Sequence, residues 1–118
     1  MTSYHFVTVW KYATPVEKIW PIIIDVEKWP SWWKGVRNVQ LLQRGDAHGT
    51  GARQHCTWRS QLPYNIEFDA HVTKIIPFSE IAGEANGDLV GQDVWKISQE
   101  GAMSQIQYNW YITPQKHG

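Results

Sequence analysis

Thr14-Pro15-Val16-Glu17-Lys18-Ile19-Trp20 and, after a short aliphatic run, Asp25-Val26-Glu27-Lys28-Trp29-Pro30-Ser31-Trp32-Trp33-Lys34-Gly35-Val36 form one helical block between stretches that read as strands. Thr14 and Glu17 have capping-box spacing, and Pro15 falls at the first helical position, where its missing N–H costs nothing. Val16, Ile19, Trp20 and Ile23 recur at i, i+3, i+4 and i+7, an apolar face suited to packing on a sheet. Pro21 removes a bond to the Glu17 carbonyl and predicts a kinked or shortened helix. Asp25 can cap a second short helix over Val26 to Trp33, interrupted by Pro30 and ended by Gly35.

Outward from this block the period changes to two. Tyr4 to Tyr12 alternates, with Phe6, Thr8, Trp10 and Tyr12 on one face and His5, Val7, Val9 and Lys11 on the other. Both faces hold apolar residues, which predicts a strand well inside the sheet. After the block, Val36 to Gln43, Ala52 to Gln61, Tyr64 to Val72, Ser79 to Asn86, Leu89 to Ser98 and the stretch through Ile112 read as strands. The glycine-rich 44–51, Leu62-Pro63, Pro77, Gly87-Asp88 and Glu100-Gly101 separate them. In the last strand Ile106, Tyr108, Trp110 and Ile112 share the inner face.

A chain of 118 residues is one domain with one core. Lys plus Arg and Asp plus Glu both number 11, so nothing electrostatic favours nucleic acid or an anionic membrane as partner. Cys56 is alone, no signal-peptide pattern opens the chain, and the longest aliphatic run is Ile22-Ile23-Ile24. A cytoplasmic domain without membrane insertion is the expectation. The eight Trp either build the core or line a cavity for a flat or oily ligand.

Motifs for a known chemistry are absent. There is no P-loop, dinucleotide fingerprint or Gly-x-Ser-x-Gly elbow, and no spacing calls for a cofactor. His5, His55 and His71 lie on polar strand faces without metal-ligand spacing, and Glu67 and Asp69 share a solvated face. Asp93 shares a parity with Trp95 and Ile97. Pointing inward it would be desolvated, with a raised pKa fit for proton transfer; at a bulge or strand end it would sit in water. Arg59 and Tyr64 flank the Leu62-Pro63 turn, and Arg59 can orient an acidic ligand group or pair on the surface. Trp10, Trp58, Phe68, Trp95, Tyr108 and Trp110 recur on one strand parity, with Trp32-Trp33 near the mouth of any cavity. With Trp33 and Tyr64 they form the candidate ligand-contacting set, and Asp93, Arg59 and Tyr108 the candidate catalytic one.

One strand, two short helices and a long meander, in that order, resemble the Bet v 1-like or START-like superfamily, and more narrowly its polyketide cyclase/dehydrase-type (SRPBCC) proteins. The likeness rests on the Thr14-Pro15 helix start, Trp29-Pro30-Ser31-Trp32-Trp33, and Trp58-Arg59-Ser60-Gln61-Leu62-Pro63-Tyr64. Gly83-Glu84-Ala85-Asn86-Gly87-Asp88-Leu89, Trp95 and Tyr108-Asn109-Trp110 continue it. The resemblance implies an α+β helix-grip fold over 1–118: a curved antiparallel sheet with a short helical pair. It also implies binding of a small hydrophobic or aromatic ligand, lipid-like or polyketide-like, between sheet and helices. A cyclase or dehydrase enzyme and a protein-interaction module are the alternatives. Such proteins usually end in a long helix across the concave face, whereas here the sequence stops at Thr113-Pro114-Gln115-Lys116-His117-Gly118. Truncation, or a homo-oligomer covering an open face of Phe6, Trp10, Phe68, Trp95, Tyr108 and Trp110, is the expectation.

Overall fold

The computed structural model describes residues 3–59 and 65–115. Strand β1 (Tyr4–Tyr12) leads into helix α1 (Val16–Ile24) and a 3₁₀ helix (Val26–Ser31). Six strands follow: β2 (Val36–Gln43), β3 (Arg53–Trp58), β4 (Ile66–Ile76), β5 (Glu80–Gly87), β6 (Leu89–Glu100) and β7 (Met103–Pro114). All pair antiparallel in one sheet of order β1-β7-β6-β5-β4-β3-β2. The helical block therefore joins the two opposite edges of the sheet. Register shifts in β2 and at Val72/Lys74 of β4 mark bulges, which add twist and curvature to that half.

Helix α1 buries the four residues its period selects, Val16, Ile19, Trp20 and Ile23. Its start differs from expectation. Pro15 is the N-cap, and no side chain of the helix caps it. Instead the far end of the sheet reaches over: Gln99 Oε1 accepts the Val16 N–H at 2.9 Å, and the Ser104 hydroxyl donates to the Thr14 carbonyl. Pro21 is accommodated within α1, which runs three residues further before giving way to the 3₁₀ turn. The Trp29 indole N–H donates to the Ile23 carbonyl at 2.8 Å, satisfying one of the acceptors a helix end leaves open. Gly35, at φ 101°, then turns the chain into β2.

Two expectations are corrected. β1 is an edge strand, not an interior one. Apolar residues on both faces are half exposed there, Phe6 at 52% and Val7 at 50%, because the local pattern carries no information on strand order. Nor is the concave aromatic face bare. Phe68, Trp95, Tyr108 and Trp110 are buried because Trp29, Trp33 and Trp58 lie upon them. Trp33 meets Tyr108 edge-on at 5.1 Å between centroids and Trp95 at 5.4 Å. Trp58 meets Trp110 at 4.2 Å, and Trp29 reaches Trp95 at 5.4 Å. Of the six residues expected to be uncovered, Trp10 is half-buried and Phe6 alone is exposed. The Trp29–Trp33 segment covers Trp95 and Tyr108, and Trp58 of β3 covers Phe68 and Trp110, so this aromatic face is covered within the chain.

Trp95, 1% exposed, sits under Trp10, Trp29 and Trp33 at once. Replacing it by Ala is expected to cost about 3–5 kcal/mol of unfolding free energy. Urea titration followed by far-ultraviolet circular dichroism measures this, and a loss below 1 kcal/mol would contradict the central place given to this ring.

Candidate functional site

The aromatic cluster fills one half of the concave side; the other half is hollow. A cavity of about 680 Å³ opens between the α1–3₁₀ junction, the 44–49 loop and the inner faces of β2 to β6. Ile23, Val26 and Trp29 line its helical side, and Leu41, Val72, Ile75, Ile81 and Trp95 its sheet side. Space exists there because inward positions are small: Ala52, Ala70 and Gly83 are all wall residues. The 44–49 loop is shaped by Asp46, whose carboxylate accepts the His48 and Thr50 backbone N–H groups at 2.8 and 3.1 Å. Those bonds hold its pKa below the usual carboxylate value.

Asp93 stands in the middle of β6, opposite Gly83 on β5 and Trp110 on β7. No bulge or strand end frees it; it faces inward with Trp95 and forms part of the cavity wall. Gly83 makes its room, since a Cβ there would lie 2.6 Å from Asp93 Oδ1. The Tyr108 hydroxyl, diagonally across β7, donates to Asp93 Oδ2 at 3.3 Å. Loss of water around the carboxyl pushes its pKa up to about 6, against the opposing pull of the Tyr108 hydrogen bond. Burial and the adjacent Asp93 push Tyr108 well above its ordinary value. The pair is thus a carboxyl that exchanges a proton near neutral pH beside a phenol that keeps its own.

Two further side chains lie on the β3 wall. Gln54, 4% exposed, lines the cavity, and its Oε1 has no hydrogen-bond partner. Cys56 is buried beside it, its thiol pushed up to about 12 by burial, which makes it an unreactive apolar residue. Among the described residues no group of three or more His, Cys, Asp or Glu is arranged to hold a metal ion.

The aromatic set chosen by parity divides. Trp95 lines the main cavity. Trp10 lines a second recess of about 350 Å³ on the other side of α1, with Lys18, Ile19, Ile22, Trp32 and Ile106. Trp33, Trp58, Phe68, Tyr108 and Trp110 line neither of these, because their rings fill the space between helix and sheet. Arg59 is exposed and outside both walls; its backbone N–H bonds the Gly35 carbonyl at 2.7 Å. Tyr64 lies outside the described residues. Sequence reasoning missed Gln54, Ala70, Gly83 and the 44–49 loop. The available signal was volume, for the hollow lies where the inward parity carries Ala and Gly in place of rings. His55, on the opposite face, bonds Asp69 at 2.8 Å and Glu67 at 3.1 Å. These carboxylates raise its pKa, and the group stands apart from the cavity.

Asp93 gives the fold a pH signature. Its folded pKa of about 6 exceeds the ordinary 3.8, so the folded state holds the proton more tightly and stability falls as pH rises from about 4 to 6. The change is on the order of 3 kcal/mol. His55 acts in a higher window: its raised pKa gives stability that is present below its unfolded value and fades as pH rises through the folded one. Asp93→Asn is expected to flatten the lower window and leave the upper one, read from urea unfolding at pH 4, 6 and 8. An unchanged slope between pH 4 and 6 would contradict the desolvation of Asp93.

Solved structures share this architecture. The Zhui aromatase/cyclase from Streptomyces sp. R1128 superposes with a TM-score of 0.80 at 14% identity, covering 99% of this chain and 72% of its own. A START superfamily protein from Mycobacterium smegmatis gives 0.80 at 15% identity, covering 95% of this chain and 78% of its own. Ara h 8.0201 gives 0.67 at 10% identity, covering 99% and 81%. At these identities the likeness speaks for the fold, which is the Bet v 1-like helix-grip α+β fold, here with no long C-terminal helix among the described residues. No described helix is long and apolar enough to cross a membrane. Comparison with curated proteins by sequence gives no match. The family model for polyketide cyclase/dehydrase and lipid transport matches residues 13–117, and the chain belongs to that family.

Proposed function

We propose that this protein binds a small hydrophobic or aromatic molecule, lipid-like or polyketide-like, in the cavity between the α1–3₁₀ pair and the sheet. The observation that carries this reading is the cavity itself. It holds about 680 Å³, within the range of small-molecule sites, and joins an apolar wall of Ile23, Val72, Ile75 and Ile81 to Asp25, Glu27, Arg44, Asp46 and His48 on the helix junction and the 44–49 loop. Ile23, Val72, Ile75 and Ile81 give an entering apolar group a surface to pack on, while Asp93 in the wall supplies an acceptor that favours a ligand carrying a hydroxyl or N–H donor. Family membership supports the same class of ligand.

A second reading, an enzyme of the cyclase/dehydrase type, is favoured by one observation. Asp93, at a pKa of about 6 and hydrogen-bonded by Tyr108, is suited to take a proton from a bound carbonyl compound and return it. The structural relative described as an aromatase/cyclase is consistent with that chemistry.

Native mass spectrometry of the purified chain, followed by titration with polyphenols and fatty acids monitored by tryptophan fluorescence, tests the binding reading. The expected result is one apolar ligand per chain with quenching of the Trp emission. Ala70→Phe, which fills the hollow from its β4 wall, is expected to weaken binding at least tenfold while the far-ultraviolet spectrum is kept. Equal binding by both forms would place the ligand elsewhere and end the reading. For the enzymatic reading, Asp93→Asn and Tyr108→Phe are expected to retain binding and lose turnover of a poly-β-ketone substrate; turnover kept by both variants would exclude it.

A further inference from the structure

The two edges of the sheet are built differently. β2 has two register shifts along its length, and Arg37, Asn38, Gln40 and Gln43 keep it polar. Bulges and polar or charged residues are how sheets prevent an edge from pairing with another strand. β1 has no bulge, and His5, Thr8 and Lys11 are its only polar side chains apart from the tyrosines. It runs against β7 for nine residues without a shift, contains no proline, and has Lys11 as its one lysine. Tyr4, Phe6, Val7, Val9 and Tyr12 stand 44–52% exposed along it. As the terminal strand of the sheet among the described residues, it presents an unshared row of backbone donors and acceptors.

The sequence of β1 indicates what fits there. Counting outward from Thr8, Val7 faces Val9, Phe6 faces Trp10, His5 faces Lys11 and Tyr4 faces Tyr12. Reversed upon itself, the strand matches aromatic with aromatic on one face and valine with valine at the centre of the other, where His5 and Lys11 meet at the two ends. Self-complementarity of this kind is what a two-fold interface requires and what a foreign strand has no reason to possess. We propose that β1 pairs antiparallel with β1 of a second copy, about a two-fold axis at Thr8, joining the two sheets into one. Nine facing residues exchange about 8–10 backbone hydrogen bonds, comparable to the ~10 of an ordinary protein–protein interface, and the Tyr and Phe/Trp pairs add cross-strand contacts. The protected β2 edge then stops growth, so the assembly closes at two.

Thr8 is exposed and meets its own symmetry mate, so a charge placed there repels itself. Sedimentation velocity of the full chain at high micromolar concentration is expected to give twice the 13.7 kDa single-chain mass. Thr8→Lys and Thr8→Glu are each expected to give the single-chain mass with an unchanged far-ultraviolet spectrum. Mixing the two variants is expected to restore the doubled mass, at least tenfold more tightly than either alone. A single-chain mass for the unmodified protein overturns the proposal. So does a doubled mass that Thr8→Lys leaves intact, which would place the interface on another face, and so does a mixture that fails to reassemble, which would remove the two-fold register.

Discussion

The Trp29 indole N–H holds the Ile23 carbonyl, and the arrangement of the concave side depends on that bond. It fixes the angle between α1 and the 3₁₀ helix at the point where helical hydrogen bonding runs out. From there Trp32 and Trp33 are directed down onto β1, β6 and β7, where they meet Trp10, Trp95 and Tyr108. A buried carbonyl left without this donor would cost about 1–3 kcal/mol. The larger consequence would be positional, because the segment that covers the aromatic face would lose its anchor.

Filling and hollowness on this concave side are two outcomes of the same register. Inward positions on β3 to β7 carry rings toward one end of the sheet and aliphatic or small side chains toward the other. Where Trp58, Phe68, Trp95, Tyr108 and Trp110 occur, the rings interlock at 4.2–5.6 Å between neighbours such as Trp58 and Trp110, Trp58 and Phe68, or Trp95 and Tyr108. Where Ala70 and Gly83 occur, the sheet recedes and the cavity begins. The bulge at Val72/Lys74 lies beside this boundary and turns the β4 end toward the 44–49 loop. The dense half fills the space between helix and sheet, and the other half is hollow.

Much of this was legible in the sequence, for identifiable reasons. Period-two alternation placed the inward parity of β4, β6 and β7 correctly, and it put Asp93 on the same face as Trp95. Period 3.6 selected the four buried residues of α1. What was hidden depended on partners far along the chain. The helix start is capped by Gln99 and Ser104, 83 and 90 residues away from their partners, so the local Thr14–Glu17 signal pointed to a box that does not form. The edge position of β1 follows from strand order, which alternation does not encode. Large apolar residues stand out in a sequence, and their parity points to the half of the concave side that is filled. The cavity lies where they are missing, and a gap leaves only Ala and Gly as its trace.

If the cavity takes a guest as proposed, the carboxyl in its wall links occupancy to acidity. Asp93 keeps a pKa near 6 while some solvent still reaches the cavity. An apolar guest that displaces this water removes the charged form's remaining hydration, so the carboxyl binds its proton more firmly once the guest is in place. Linkage makes the relation reciprocal: a guest without a hydrogen bond to Asp93 is held more tightly when the carboxyl is protonated. A guest whose hydroxyl donates to the carboxylate has the opposite sign, so the direction of the pH dependence tells which kind of guest the cavity prefers.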